Sequence, residues 1–145
     1  IGKRETCSNM KVLIDTCIII DALQDRKPFS KHAQQIFLET AKRTFIGCIT
    51  AKSITDIYYL THKTTHDDKT TREILHKLFS LFEIIDTAAI DCIKAVSFPM
   101  KDYEDAVMSE TASRNALDYI ITRNVKDYSQ SKIPVYMPES FLHLF

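Results

Sequence analysis

The sequence predicts an α/β fold of three layers, in which a central parallel sheet is flanked by helices. Short apolar segments alternate along the chain with segments whose apolar residues recur at helical spacing, the pattern typical of a parallel sheet. At 145 residues and 45% hydrophobic content, the chain suits one domain with a substantial core. Nineteen basic residues balance nineteen acidic ones, which argues against the overall positive field of a general DNA-coating protein.

The first half of the chain is predicted to form two strands and four helices. Residues 11–14 and 44–50 are apolar runs short enough to be buried strands. The helices are predicted from apolar stripes at helical spacing, and from Pro28, whose fixed φ suits a first helical turn. They occupy residues 17–23, a segment beginning at Pro28, residues 51–63, and a segment capped near Asp67 or Asp68.

The second half continues this alternation. Residues 82–86 form the third predicted strand, and the helix over residues 88–98 ends before Pro99. A helix over residues 101–116 follows, then a strand and turn over residues 117–124, and finally a short strand and a terminal helix. Because the strands are parallel, their carboxyl ends meet at one edge of the sheet, where reactive groups gather.

The remaining features concern the extent of the domain and its compartment. Residues 1–9 are interpreted as a tag or short extension before Met10, which leaves residues 10–145 as a single domain. The four cysteines form no C-x-x-C pair and no paired zinc spacing, so we expect reduced thiols and a cytoplasmic protein. No apolar run approaches the roughly 20 residues of a membrane span, and no membrane partner is expected.

Asp15 is the most informative residue of the chain. It directly follows the apolar run 12–14, where a charge costs free energy unless it is paired, hydrogen-bonded or bound to a metal. Clustered carboxylates repel one another, and a hard divalent cation such as Mg²⁺ or Mn²⁺ resolves that conflict. The residues that could converge on Asp15 are Asp56, Asp102, Asp105, Asn124 and Asp127.

Each of these partners also has a simpler interpretation. Asp102 could be only the N-cap of its helix, and Asp105 a residue that favours the positive end of the same helix. Asp56 could be a solvated helix position, and Asp127 a turn former. The other aspartates are assigned to solvated surfaces and caps: Asp21, Asp25, Asp67 and Asp68.

Three motifs resemble, in order and spacing, those of a PIN domain of the VapC toxin type: VLIDTCIIIDAL, ITAKSITDIYYL and DYEDAVMSETASRNALDYIITRNVKDY. The resemblance extends from Met10 to the C terminus, and the third motif is its most specific part. It implies a PIN-like fold and a metal-dependent ribonuclease whose acidic cluster holds Mg²⁺ or Mn²⁺.

Matched motif by motif, the resemblance assigns the first family carboxylate to Asp15, the second to Asp56 and the third to Asp105, all as metal ligands. Asp56 stands where the family usually has a glutamate, so its shorter side chain is expected to reach the metal through water. The fourth position is open between Asn124, which aligns with it, and Asp127, the nearest carboxylate. An asparagine there keeps an oxygen ligand without its charge, which weakens a second metal more than the first.

Four residues beside the acidic positions are predicted to contact the substrate or its ligand waters: Thr16, Ser53, Thr122 and Arg123. The small hydroxyls could instead be helix caps, and Arg123 could belong to a solvated turn, although its guanidinium suits a phosphate. Tyr58 and Tyr59 are predicted to pack in the core or at a dimer interface, and not to stack on bases.

Two functional hypotheses follow. The first is a metal-dependent endoribonuclease that hydrolyses RNA phosphodiesters and is the toxin of a toxin–antitoxin pair, with a small antitoxin protein as its partner. This protein is also expected to form a homodimer through its apolar helices over residues 54–60 and 74–81. The second is a noncatalytic PIN-like module that binds RNA or docks a protein and has a degenerate metal site. A phospho-receiver domain is disfavoured because the first strand lacks an adjacent acidic pair and no lysine follows the last one.

Overall fold

The computed structural model describes residues 9–145, and in that range a five-stranded parallel sheet is flanked by seven α-helices. The strands are β1 (Lys11–Ile14), β2 (Ile46–Thr50), β3 (Glu83–Ile85), β4 (Tyr119–Ile121) and β5 (Val135–Tyr136). The helices are α1 (Thr16–Leu23), α2 (Ser30–Ala41), α3 (Ala51–Thr65), α4 (Asp68–Leu81), α5 (Ala89–Ser97), α6 (Tyr103–Arg114) and α7 (Pro138–Leu142).

The strand order places β1 at the centre of the sheet. The order is β3-β2-β1-β4-β5, and every neighbouring pair is parallel. Val12 of β1 lies in register with Gly47 of β2 on one side and with Tyr119 of β4 on the other. The carboxyl ends of these strands therefore meet at one edge, and the predicted α/β fold is confirmed.

The two faces of the sheet bury two separate sets of side chains. Because successive strand residues point to opposite faces, Val12 and Ile14 enter one core and Leu13 enters the other. The first core also takes Ile18 and Ile57 from helices α1 and α3, and the second takes most of the buried residues of α6. These two cores make the sheet the middle layer of three.

Helix α6 is fixed to α5 by an ion pair between the exposed Arg114 and the buried Asp91. Asp91 accepts hydrogen bonds from Arg114 Nε at 2.8 Å and from the backbone N–H of Ala88 at 2.8 Å. The hydroxyl of Thr111 donates to the same carboxylate at 3.1 Å. These contacts fix the position of α6, the helix that carries Asp105.

Several predicted boundaries hold, and one is wrong. Asp67 and Asp102 are the N-caps of α4 and α6, as the sequence indicates. Helix α2 begins at Ser30 and not at Pro28, which lies in the preceding turn. A short 3₁₀ helix over Val125–Tyr128 was not predicted. The predicted extension over residues 1–9 lies, except for Asn9, outside the described residues. Within residues 9–145, no helix has the length and apolar character needed to cross a bilayer.

Asp21 contradicts its assignment to a solvated surface. Its side chain is completely buried, and its carboxylate accepts hydrogen bonds from Arg123 Nε at 2.6 Å and from Arg123 Nη2 at 3.3 Å. The guanidinium of Arg123 also lies 4.0 Å from the centroid of the Phe29 ring. The pair connects α1 to the segment that follows β4, so it holds together two parts of the sheet's carboxyl edge.

Candidate active site

An acidic cleft runs along the carboxyl edge of the sheet, between α1, α3 and α6. It consists of two adjoining pockets of about 340 and 350 Å³ that share five residues: Asp15, Thr16, Leu60, Glu104 and Asp105. The first pocket adds Lys52, Ser53, Asp56, Tyr59 and Met108. The second adds Cys17, Ile20, Arg26, Asp102, Asn124 and Asp127. Asp15, Asp56 and Asp105 therefore line one cleft, as the motifs predict, while their roles as ligands stay a prediction.

Asp15 occupies the junction between β1 and α1. Its carboxylate caps α1 by accepting a hydrogen bond from the backbone N–H of Thr16 at 2.8 Å. Its other oxygen accepts from the hydroxyl of Thr122 at 2.7 Å and lies 3.7 Å from the Cys17 thiol. Burial raises the pKa of Asp15, and the hydrogen bond from Thr122 offsets part of that increase.

Asp105 lies in the first turn of α6 and is half-buried. The hydroxyl of the buried Tyr128 donates to it at 3.1 Å. Burial, followed by the negative charge of Asp15, raises the pKa of Asp105 to about 6, and the hydrogen bond from Tyr128 opposes that rise. Asp15 is therefore close enough for its negative charge to disfavour the ionised form of Asp105.

Asp56 is already paired with a cation. Lys52, one helical turn earlier on α3, places its Nζ 2.8 Å from Asp56 Oδ2 and 3.4 Å from Glu104 Oε2. The ammonium group thus bridges α3 and α6 across the first pocket. Of the three predicted ligands, Asp56 is the one whose carboxylate is engaged by a cationic side chain.

Asn124 and Asp127 both line the second pocket, so both open alternatives for the fourth position lie in the cleft. The backbone N–H of Asn124 donates to the hydroxyl of Thr122 at 3.1 Å. Asp127 is near enough to Asp105 to contribute to its raised pKa. Both side chains are exposed to solvent.

The four predicted substrate contacts occupy different environments. Thr16 lines both pockets, whereas Thr122 is completely buried and its hydroxyl is donated to Asp15. Ser53 is 2% exposed, and its hydroxyl lies 2.9 Å from that of Thr50. Arg123 is engaged by Asp21. Thr122 therefore positions Asp15 and Arg123 supports the fold, while contact between these four residues and a substrate stays a prediction.

The comparison with known families decides the membership of the chain. The family model described as PIN domain matches residues 11–126, from the first residue of β1 into the 3₁₀ helix, and so includes Asp15, Asp56, Asp105 and Asn124. The chain belongs to the PIN domain family. No curated protein matches this PIN domain.

Solved structures of toxin–antitoxin proteins share the fold of this PIN domain. A toxin–antitoxin complex from Klebsiella pneumoniae is 27% identical, with a TM-score of 0.62, and the match covers 88% of this chain and 97% of that one. DNA-bound VapBC from Salmonella typhimurium is 17% identical, with a TM-score of 0.63 and coverage of 89% and 98%. VapC20 from Mycobacterium tuberculosis, a sarcin-ricin loop cleaving toxin, is 8% identical, with a TM-score of 0.64 and coverage of 85% and 98%.

Sequence reasoning missed several residues of the cleft in this PIN domain. Lys52 stands four residues before Asp56, and this i,i+4 spacing on a helix was a usable signal for the ion pair. Glu104 lies beside Asp105 in the first turn of α6, so the predicted start of that helix was a usable signal for it as well. No pattern pointed to Tyr128, whose hydroxyl reaches Asp105, because that contact joins α6 to the 3₁₀ helix.

The donor set of the cleft suits a hard divalent cation. Six carboxylates line the two pockets against two cationic side chains, Lys52 and Arg26: Asp15, Asp56, Asp102, Glu104, Asp105 and Asp127. Within residues 9–145, no three Asp, Glu, His or Cys side chains are grouped so as to hold a metal ion. Mg²⁺ is commonly bound through one or two carboxylates and several waters, which is what Asp15 and Asp105 offer.

We expect the contribution of Asp105 to the stability of the metal-free protein to fall as the pH rises from about 4 to about 6. The pKa of Asp105 is raised from 3.8 to about 6 in the fold, so the folded state binds an additional proton within that window. Its contribution is therefore most favourable below the unfolded value and is lost as the pH rises through the folded value. Thermal melts in EDTA should show that Asp105→Asn gains stability relative to the parent as the pH rises through this window, and a constant difference between the two proteins would contradict the assignment.

Proposed function

We propose that this PIN domain is a metal-dependent endoribonuclease and the toxin of a toxin–antitoxin pair. The observation that carries the proposal is that Asp15 and Asp105 line both pockets of the cleft, where burial raises the pKa of each and the charge of Asp15 adds to the rise at Asp105. Such a pair is unfavourable by itself and favourable around a cation. Membership of the PIN family and the likeness to a sarcin-ricin loop cleaving toxin support RNA as the substrate.

In the proposed reaction, Asp15 and Asp105 would hold Mg²⁺ or Mn²⁺, Asp56 would contribute through water, and Asn124 or Asp127 would supply a further oxygen. A bound ion would lower the pKa of water and stabilise the charge that develops on the phosphate. Thr122 and Tyr128 fix the two carboxylates, because their hydroxyl groups donate hydrogen bonds to Asp15 and Asp105, respectively. These donors keep the carboxylate oxygens at constant positions, which favours a single geometry of the site.

RNA cleavage in Mg²⁺ or Mn²⁺, compared with cleavage in EDTA, tests the proposal. We expect cleavage of single-stranded or structured RNA with either metal, and its loss when EDTA removes the metal. Titration with Mn²⁺ in a calorimeter should give saturable binding that Asp105→Asn weakens. Cleavage that EDTA leaves unchanged would contradict a metal-dependent mechanism.

A noncatalytic module is the second candidate, and the Lys52–Asp56 ion pair favours it. An ammonium that satisfies Asp56 removes part of the need for a metal, and Asn124 contributes no charge. In that case the protein would bind RNA or a protein partner without hydrolysis. No saturable Mn²⁺ signal, together with no cleavage of any RNA tested, would favour this candidate over the nuclease.

An antitoxin is the partner that we propose for the cleft. The solved neighbours include VapBC complexes and a toxin–antitoxin complex, and a cleft with six carboxylates would attract a basic segment of such a protein. Homodimerisation is proposed through the helical surface of α4, where Phe79 is exposed and lies outside the cleft. Light scattering that finds a monomer at high concentration would contradict the dimer.

A further inference from the structure

Helix α3 presents a cation, a carboxylate and an aromatic ring in one row along the cleft. Lys52, Asp56 and Tyr59 follow each other at intervals of four and three residues, which places them on the same helical face. All three line the first pocket. Since α3 begins directly after β2, Lys52 lies near the sheet edge and Tyr59 lies about two turns further out.

Tyr59 is unusual among the apolar side chains of this face. It is 68% exposed, so its predicted place in the core is wrong. Among the large apolar side chains that are exposed in residues 9–145, it alone lines the cleft. An exposed aromatic ring beside a site for RNA chemistry offers a flat surface on which a base can stack.

The ring of Tyr59 is supported from behind. It makes an edge-to-face contact with Tyr58, with ring centroids 6.0 Å apart and planes at 82°. Tyr58 is itself held by stacking on His62, with centroids 5.5 Å apart, and by a hydrogen bond from its hydroxyl to Asp68. Tyr59 is therefore presented on a fixed neighbour, which lowers the entropy lost when a base covers it.

The charges of the cleft limit what an RNA strand can use for binding. The six carboxylates repel phosphates, and Lys52 is the cation of the α3 face. Its ammonium has three N–H donors, of which Asp56 and Glu104 occupy two, so one remains for a phosphate oxygen. Because charge contributes so little here, stacking on Tyr59 has to supply much of the affinity.

We propose that the Lys52–Asp56–Tyr59 face of α3 binds the substrate strand as unpaired RNA, with Tyr59 stacked on a base and Lys52 bound to a phosphate. Seven residues of helix separate the ring from the ammonium, a rise of about 10 Å, whereas stacked nucleotides are about 3.4 Å apart. The stacked base and the phosphate bound by Lys52 therefore belong to different nucleotides. This inference rests on the proposed function, because it names the form of RNA that the same cleft takes.

Binding of a short, fluorescently labelled single-stranded RNA, measured by anisotropy in EDTA and low salt, tests the inference without requiring cleavage. Tyr59→Ala should weaken binding about tenfold or more, and Tyr59→Phe should bind like the parent because it keeps the ring. Phe79→Ala removes an equally apolar, exposed ring outside the cleft and should have no effect. Lys52→Gln should reduce the slope of log affinity against log salt by about one.

A duplex of the same sequence separates stacking from a general loss of binding. Its bases are already stacked and unavailable, so Tyr59→Ala should leave duplex binding unchanged, and thermal melts should match the parent. Equal binding of single-stranded RNA by the parent and Tyr59→Ala would overturn the inference, even if the parent cleaves RNA in Mn²⁺. No binding of RNA by the parent would also overturn it and would leave the ring to a protein partner. Tyr59-dependent binding without any cleavage would support the inference and contradict the nuclease.

Discussion

Asp15→Asn is expected to reduce RNA cleavage by about 100-fold or more while leaving the protein folded. The asparagine Oδ1 can still accept a hydrogen bond from the backbone N–H of Thr16, so the cap of α1 is preserved, and its Nδ2 can donate to the hydroxyl oxygen of Thr122. The substitution removes the negative charge that the cation needs. The measurement is the rate of RNA cleavage in Mg²⁺ or Mn²⁺, with thermal melts of the same samples.

The melts add a second, independent readout. Burial disfavours the charge of Asp15, so the metal-free Asp15→Asn protein should be at least as stable as the parent at neutral pH. Asp25→Asn is a matched control, because Asp25 is exposed, does not line the cleft, and has a positive φ that asparagine tolerates. Undiminished cleavage by Asp15→Asn that resists EDTA would contradict the proposed metal site.

Arg123→Ala should have the largest effect on stability, a loss of about 3–5 kcal/mol in the free energy of unfolding. The substitution leaves the completely buried carboxylate of Asp21 without the guanidinium that donates two hydrogen bonds to it. It also removes the cation that stacks on Phe29. Urea denaturation followed by circular dichroism measures the change.

Two variants show whether the buried charge is the cause. Arg26→Ala should cost under about 1 kcal/mol, because its Nη1 is 3.9 Å from Asp21 and its side chain is 42% exposed. Replacing both partners, as Asp21→Leu with Arg123→Met, should recover most of the loss, since an apolar pair leaves no charge unpaired. A double variant as unstable as Arg123→Ala would show that packing, and not the unpaired charge, dominates.

Local patterns predicted most of the fold, because its elements are specified by nearby residues. The apolar run of β1, the caps Asp67 and Asp102, and the period of α3 each depend on fewer than about ten consecutive residues. The helix start predicted at Pro28 was wrong because the fixed φ of proline suits the turn before α2 as well as a first helical turn. The 3₁₀ helix is too short to give a periodic signal.

The site was predicted less completely, because its side chains are paired over long distances in the sequence. Asp15 could be singled out from its own segment, as a charge at the end of a buried strand. Asp21 could not, because the arginine that makes its burial possible is 102 positions away. Tyr59 lies on the same helix as half-buried apolar neighbours, and the sequence does not distinguish its exposed position from theirs. Only the packed structure shows that Tyr59 is exposed.

The lengths of the outer strands restrict how copies of this PIN domain can associate. In the described part of the chain, β3 and β5 form the two edges of the sheet and have three and two residues. An edge strand with so few free N–H and C=O groups offers little template for a strand from another molecule. Pairing of edges into a continuous intermolecular sheet is therefore disfavoured, together with the cross-β aggregation that begins in this way.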